Sequence, residues 1–149
     1  VSITSKIPQL VAISTVVVAT NVAAADALKI TDLVITPGTA VKQERAVAAT
    51  AKQFYEFWNT GDEQSLKQAI ASTFTDHTLP PGRPQGPEGP AFASRQCRAA
   101  VPDLSVEVRK MIVAGDYVTV HMVFRGHFSG TFGNTKGNGQ PIEFIARTF

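Results

Sequence analysis

The sequence predicts an α+β domain in which three helices pack on one face of a curved antiparallel sheet. Three observations lead there. Apolar residues recur at helical spacing in three successive segments between Val41 and Ala100. From Leu104 onward the spacing switches to alternation, interrupted by turn residues. A chain of 149 residues with no internal repeat allows one domain and one core.

The amino-terminal 25 residues are a different material. Ile7 to Ala25 is almost uninterrupted small and apolar residues, preceded by Lys6 and ending in Ala23-Ala24-Ala25 before Asp26. A basic start, an apolar middle and a small-residue exit make a secretory signal peptide the expected reading of residues 1–25, and an exported, periplasmic or secreted protein the consequence. An uncleaved membrane anchor and a buried strand or helix are the alternatives, since the run approaches the roughly 20 residues that span a bilayer. Residues 26–40 read as a spacer or arm: Leu28 to Ile35 can form a short strand, and Thr36-Pro37-Gly38-Thr39 is turn chemistry.

Residues 41–149 carry the domain. Val41 to Thr60 is the clearest helix, with Val47, Ala51, Phe54, Tyr55 and Trp58 on one stripe and Lys42, Glu44, Lys52 and Glu56 largely off it. Gly61 ends it, and Asp62 can cap a short second helix, Glu63 to Ala71, whose inner residues are Leu66, Ala69 and Ile70. Pro87 or Pro90 suits the first turn of a third helix reaching Ala100, with Phe92, Gln96, Cys97 and Ala100 sharing a face. Leu104, Val106 and Val108 alternate with polar residues, and Gly115-Asp116 is a tight-turn signal. In the next strand Val118, Val120, Met122 and Phe124 form one face, and Thr119, His121, Val123 and Arg125 the other. Gly130 to Gly139 is a glycine-rich connection from strand to strand, with no helix terminus to cradle a phosphate. Pro141 to Phe149 is the last strand.

Composition bounds the function. A net charge of +2 without a Lys/Arg run gives no basis for a nucleic-acid partner. The single cysteine, Cys97, rules out an internal disulfide and a Cys-rich metal site, and reads as a small helix residue. A metal triad of His77, His121 and His127 would need convergence from both sheet faces, so no metal is expected. His121 lies on the face with Thr119 and Arg125, the outer or subunit-contact side; a homodimer through the sheet is one assembly open to it. Glu143 alternates opposite Phe144 and Ala146 and points away from the core.

The segment Asp76-His77 through Gly86-Pro87-Glu88-Gly89 is the most informative, a titratable imidazole followed by a rigid Pro/Gly loop that opens a helix. With Phe54-Tyr55, Trp58-Asn59-Thr60-Gly61-Asp62, Pro102-Asp103-Leu104, Ala114-Gly115-Asp116 and Phe124-Arg125-Gly126, it occurs in an order that resembles the SnoaL-like polyketide cyclases, or ester cyclases, of the nuclear-transport-factor-2-like superfamily. The resemblance covers Val41 to Phe149. It implies a cone-shaped α+β barrel, no cofactor and a small apolar carbonyl-containing ligand. It also implies intramolecular aldol ring closure, in which a buried carboxylate of raised pKa removes a proton beside a carbonyl. The family's catalytic Asp falls at Thr148, or at Arg147, and neither is a carboxylate. The family's strand histidine falls at Phe128, with His127 one step earlier and so on the opposite face. The family also continues through a further hairpin and strand, so the resemblance implies truncation at the carboxyl terminus and an open strand edge. The expected site is His77, with Thr148 at the family's base position, in a pocket of Phe54, Tyr55, Trp58, Phe92, Met122, Phe124 and Phe144. A cyclase homologue, a catalytically silent binding module of the same fold, and a remnant without settled function are the readings in play.

Overall fold

The computed structural model describes residues 27–37 and 41–148; the expected signal segment, residues 1–25, lies outside them. The elements are strands β1 (Lys29–Ile30) and β2 (Leu33–Ile35), helices α1 (Val41–Thr60), α2 (Glu63–Ala69) and α3 (Glu88–Ala100), and strands β3 (Ser105–Ala114), β4 (Tyr117–Phe128), β5 (Thr131–Phe132), β6 (Thr135–Lys136) and β7 (Gln140–Thr148). The main sheet runs β1-β3-β4-β7, with β2 also on β3. Helices pack on one face of it, the α+β layout expected.

The sheet is mixed, not purely antiparallel. β3, β4 and β7 form antiparallel pairs, while β1 and β2 lie parallel to β3. The segment that reads as an arm thus lies in the sheet, and Leu28 is buried in the core. The intervening helices return the chain to the same end of the sheet, which makes the pairing parallel.

β3 carries a bulge. Val108 pairs with Met122 and Lys110 with His121, so Arg109 is the extra residue. The inward set therefore changes phase from Val106 and Val108 to Met111 and Val113, and the last three of these are fully buried. Without the bulge Lys110 would face the core. Instead its ammonium stands outside, 2.9 Å from the Asp32 carboxylate. The break between β1 and β2 falls opposite this bulge, because Ile30 pairs with Val108 and Leu33 with Met111.

Two of the helix faces differ from the expected ones. On α1 the buried residues are Glu44, Ala48, Tyr55 and Phe57. Glu44, expected off the stripe, continues the Ala48–Tyr55 row that faces the sheet. Phe57 belongs to a second face that meets Leu66 of α2 and Ala91 of α3. A helix covered on two sides has no single stripe. On α3 the buried residues are Gly89, Pro90, Ala91, Ala93, Ser94 and Ala100, whereas Phe92 and Gln96 face outward. Small residues let this helix approach its neighbours closely, so the largest apolar side chain is not the one buried.

The segment after α1 locks the layers together. Asn59 Oδ1 accepts from the Val106 amide at 2.8 Å, and the Arg98 guanidinium donates to the carbonyls of Trp58 (2.8 Å) and Leu104 (3.3 Å). Gly61 has φ +79°, and a Cβ there would sit 2.6 Å from Arg98 Nε. Asp62 then caps α2 by accepting from the amides of Gln64 and Ser65. The glycine-rich connection is itself a small hairpin, β5–β6, resting on α3. A Cβ on Gly130 would lie 1.9 Å from the Ala99 carbonyl oxygen, so only glycine permits this approach.

The outer face carries a cross-linked polar network around Val123. Glu107 accepts from Arg125 at 2.9 Å, meets Lys29 at 3.2 Å and accepts from Thr31. Arg125 also holds Glu143 at 2.8 Å, linking four strands. Arg125 above all, then Lys29, lowers the Glu107 carboxyl from 4.5 to about 2.

Two stability predictions follow from this packing. Phe57→Ala, at a fully buried position, is expected to lower unfolding free energy by about 3–5 kcal/mol in denaturant titration. A cost near zero would show that the helix–helix cluster contributes little. The depressed Glu107 carboxyl stabilises the fold above its ordinary value and stops doing so as pH falls through its folded one. Wild type should therefore lose stability between about pH 4.5 and about pH 2, and Glu107→Gln should flatten that part of the curve. Parallel curves for both proteins would contradict this.

Candidate functional site

The space between the α1 aromatics and the inner sheet face is not filled. A cleft of about 640 Å³ opens there, lined by Phe54 and Trp58 of α1, by Phe74 to Thr78 and Arg83 of the loop, by Pro90, Ala93 and Cys97 of α3, and by Met122, Phe124, Phe144, Ala146, Arg147 and Thr148 of the sheet. Its walls are mainly apolar, with Phe54, Trp58, Phe74, Phe124 and Phe144 among them. Trp58 meets Phe124 edge-on at 6.0 Å, Phe124 stacks on Phe144 at 4.7 Å, and Phe54 stands 6.4 Å from Phe74. A smaller, wholly apolar depression of about 270 Å³ shares Cys97 and Phe144 with it and is also lined by Phe128, Phe132 and Ile142.

The polar groups sit at two places. The first is the loop that carries His77. Gln85 clamps it: its side-chain oxygen accepts from the Asp76 amide at 2.7 Å, and its Nε2 donates to the Asp76 carbonyl at 2.9 Å. Asp76 Oδ1 accepts from both the amide and the hydroxyl of Thr78, each at 2.8 Å. The loop is therefore fixed on both sides of His77, whose ring lines the exposed mouth of the cleft.

The second place is the end of β7. The Tyr55 and Thr148 hydroxyls lie 2.6 Å apart. Tyr55 is buried on α1, and Thr148 reaches the cleft beside Ala146 and Met122. Burial raises the Tyr55 pKa, partly offset by the bond to Thr148, so the phenol stays protonated at neutral pH and can donate. Cys97 is likewise raised by burial, which keeps it a thiol, although the charges of Arg83 and Arg98 oppose the shift.

Of the expected residues, the structure brings His77, Thr148, Phe54, Trp58, Met122, Phe124 and Phe144 to one cleft. Tyr55 stands behind Thr148. Phe92 does not join them: it is 37% exposed on the outer side of α3. His121, paired in register with Arg147, lies on the opposite sheet face, as does Glu143. His127 is on that face too, held by Asp103 at 2.7 Å through Nδ1. The three histidines do not converge, and among the described residues no group of His, Cys, Asp or Glu is placed to hold a metal ion. No helix among them is long and apolar enough to cross a membrane. Phe74, Arg83 and Gln85 were not legible as site residues. They lie in a loop, where no periodicity signals direction, and only the Gln beside Gly86 hints at a loop clamp.

The geometry matches known proteins. A family model described as SnoaL-like polyketide cyclase matches residues 48–149. The crystal structure of a candidate polyketide cyclase from Bacillus cereus superposes with a TM-score of 0.72 at 35% identity, covering 82% of this chain and 76% of that one. IdmH from Streptomyces antibioticus, also a candidate polyketide cyclase, gives a TM-score of 0.56 at 29% identity over 66% of this chain and 77% of its own. TsrD from Streptomyces laurentii, at 24% identity and a TM-score of 0.60 over 68% of this chain and 74% of its own, shares the fold. A search of curated proteins finds no significant match. With a family model spanning its helices and sheet, and a 35% identical structure over most of its length, the chain belongs to the SnoaL-like polyketide cyclase family.

Proposed function

We propose that the cleft binds a small apolar carbonyl compound of polyketide type and promotes its intramolecular aldol ring closure. The observation that carries this reading is the pairing of an aromatic-walled cleft with two kinds of proton-handling group, His77 at its mouth and the Tyr55–Thr148 hydroxyl pair on its wall. Asp76 is the sole carboxylate among the described lining residues, and Thr78 already occupies it. Among the described residues the His77 ring has no hydrogen-bond partner, which leaves it available. In this mechanism neutral His77 removes the proton beside one carbonyl. The resulting enolate carbon attacks a second carbonyl of the same molecule, and the imidazolium returns its proton to the new alkoxide. The apolar walls hold the flexible chain in a folded, ring-closing conformation.

The hydroxyl pair has a complementary role. Tyr55 donates to Thr148 Oγ1, and Thr148 then directs its own hydrogen toward a substrate oxygen, an arrangement in which each bond polarises the next. Thr148 is not itself a base: its hydroxyl is far too weak an acid. It can stabilise negative charge developing on oxygen.

A second reading is a binding module of the same fold without turnover. The lack of a free carboxylate on the sheet side of the cleft favours it. Export remains a proposal from the amino-terminal sequence, tested by sequencing the mature amino terminus, for which Asp26 is expected.

Trp58 is the chain's one tryptophan and lines the cleft, so quenching of its fluorescence reports occupancy directly. His77→Gln should leave that quenching unchanged and lower ring-closure turnover by about 10²–10⁴-fold. Unchanged turnover in the variant would exclude His77 as base; quenching without turnover in wild type would establish the binding module. Thr148→Val should destabilise the fold by about 1–3 kcal/mol, because it strands the buried Tyr55 hydroxyl, and adding Tyr55→Phe should recover part of the loss. Additive losses in that double-mutant cycle would show that the two hydroxyls are not coupled.

A further inference from the structure

Arg83 stands apart from the other part-buried or cross-linked arginines. Arg95 is held by Glu63 and Glu88, Arg125 by Glu107 and Glu143, and Arg98 by two carbonyls. Arg83 lines the cleft with its side chain 30% exposed, and among the described residues nothing accepts a hydrogen bond from its guanidinium. Its nearest carboxylate oxygen, Asp76 Oδ2, is 4.0 Å from Nη1, beyond hydrogen-bond distance. Asp76 meanwhile uses Oδ1 on Thr78. The backbone amide of Arg83 donates to the Pro80 carbonyl at 3.2 Å, which fixes the loop that carries it. Arg83 and Cys97 both line this cleft, and the Arg83 charge opposes the rise that burial imposes on the Cys97 thiol. The other arginine of the lining, Arg147, lies in register between Ala146 and Thr148, and its side chain leaves on the opposite sheet face.

A half-buried guanidinium that lines a cleft with its donors unused matches a planar oxyanion, which it grips with two parallel bonds. We propose that Arg83 is a specificity residue that recognises a carboxylate on the ligand, so that the cleft takes aromatic or polyketide-like acids in preference to their neutral esters. This rests on the reading of the cleft as a site for apolar carbonyl compounds. The aromatic walls take the ring system, and the carboxylate lies at the loop end beside Asp76 and His77. Asp76 opposes this binding through its own charge, so it tunes the preference downward.

The test is a matched pair of probes, anthraquinone-2-carboxylate and its methyl ester, titrated at pH 7 with Trp58 fluorescence and calorimetry as readouts. Wild type should bind the acid about 10- to 100-fold more tightly than the ester, the range expected for a charge-assisted hydrogen-bond pair. Arg83→Gln should bring the acid to the level of the ester and leave the ester unchanged. Asp76→Asn, which retains the acceptor for Thr78, should tighten the acid alone. Equal binding of the two probes by wild type, or an equal loss of both in Arg83→Gln, overturns the role of Arg83 and leaves the cleft assignment standing. Failure of both probes to bind wild type overturns the cleft assignment and this proposal together.

Discussion

The attachment of the carboxyl end of α1 to the start of β3 sets the geometry on which everything else depends. Three polar contacts make it: Asn59 with the Val106 amide, and Arg98 with the carbonyls of Trp58 and Leu104. A helix end leaves carbonyls without partners, and a first strand residue needs a partner for its amide. Here one set of side chains answers both needs. The short Trp58-Asn59-Thr60-Gly61-Asp62 segment is therefore a clamp between layers, and its glycine is required by both a positive φ and the proximity of Arg98. With that end fixed, Phe54 and Trp58 of α1 stand across the cleft from Met122, Phe124 and Phe144 of the sheet.

A domain of this size has little apolar surface to spare, and the cleft consumes some of it. The chain compensates by concentrating burial elsewhere. Phe57 with Leu66 and Ala91 forms a separate cluster between the helices. The bulge at Arg109 brings Met111 and Val113 inward where regular alternation would have buried Lys110 and Ile112. On the outer face the Lys29–Glu107–Arg125–Glu143 network joins neighbouring strands across the sheet. The rigid part of the molecule thus surrounds a cleft whose polar groups are few and placed at its two ends.

That arrangement separates two chemical tasks. The loop end has charge and a titratable ring, held by the Gln85 clamp. The β7 end has a part-buried pair of hydroxyls, Tyr55 and Thr148. A compound lying across the cleft would meet the His77 imidazole at one end and the Tyr55–Thr148 hydroxyls at the other. The resemblance implies a carboxylate at Thr148 or Arg147, where this chain has none; here the Thr148 hydroxyl shares a 2.6 Å hydrogen bond with Tyr55.

Much of this was written in the one-dimensional pattern. The three helices, the β3–β4 hairpin at Gly115-Asp116 and the inward set of β4 follow from local periodicity and turn chemistry, which need no tertiary information. So does the meeting of Trp58, Met122, Phe124 and Phe144, because a helix stripe and a sheet face can only bury against each other. What the fold alone decided depends on contacts distant in sequence. The parallel docking of β1 and β2 arises because their partner lies more than seventy residues away. Phe57 is buried and Phe92 exposed because helix neighbours, not apolar size, determine which face is covered. The Arg109 bulge is visible only when β4 lies opposite. The Tyr55–Thr148 bond spans 93 positions, and Arg83 sits in an aperiodic loop whose direction is set by Gln85 and Gly89. Local pattern sets which residues are apolar and where the chain turns. The tertiary structure decided which polar groups would face one another across the cleft, since the direction of a side chain in a loop or at a strand end is fixed by its partners.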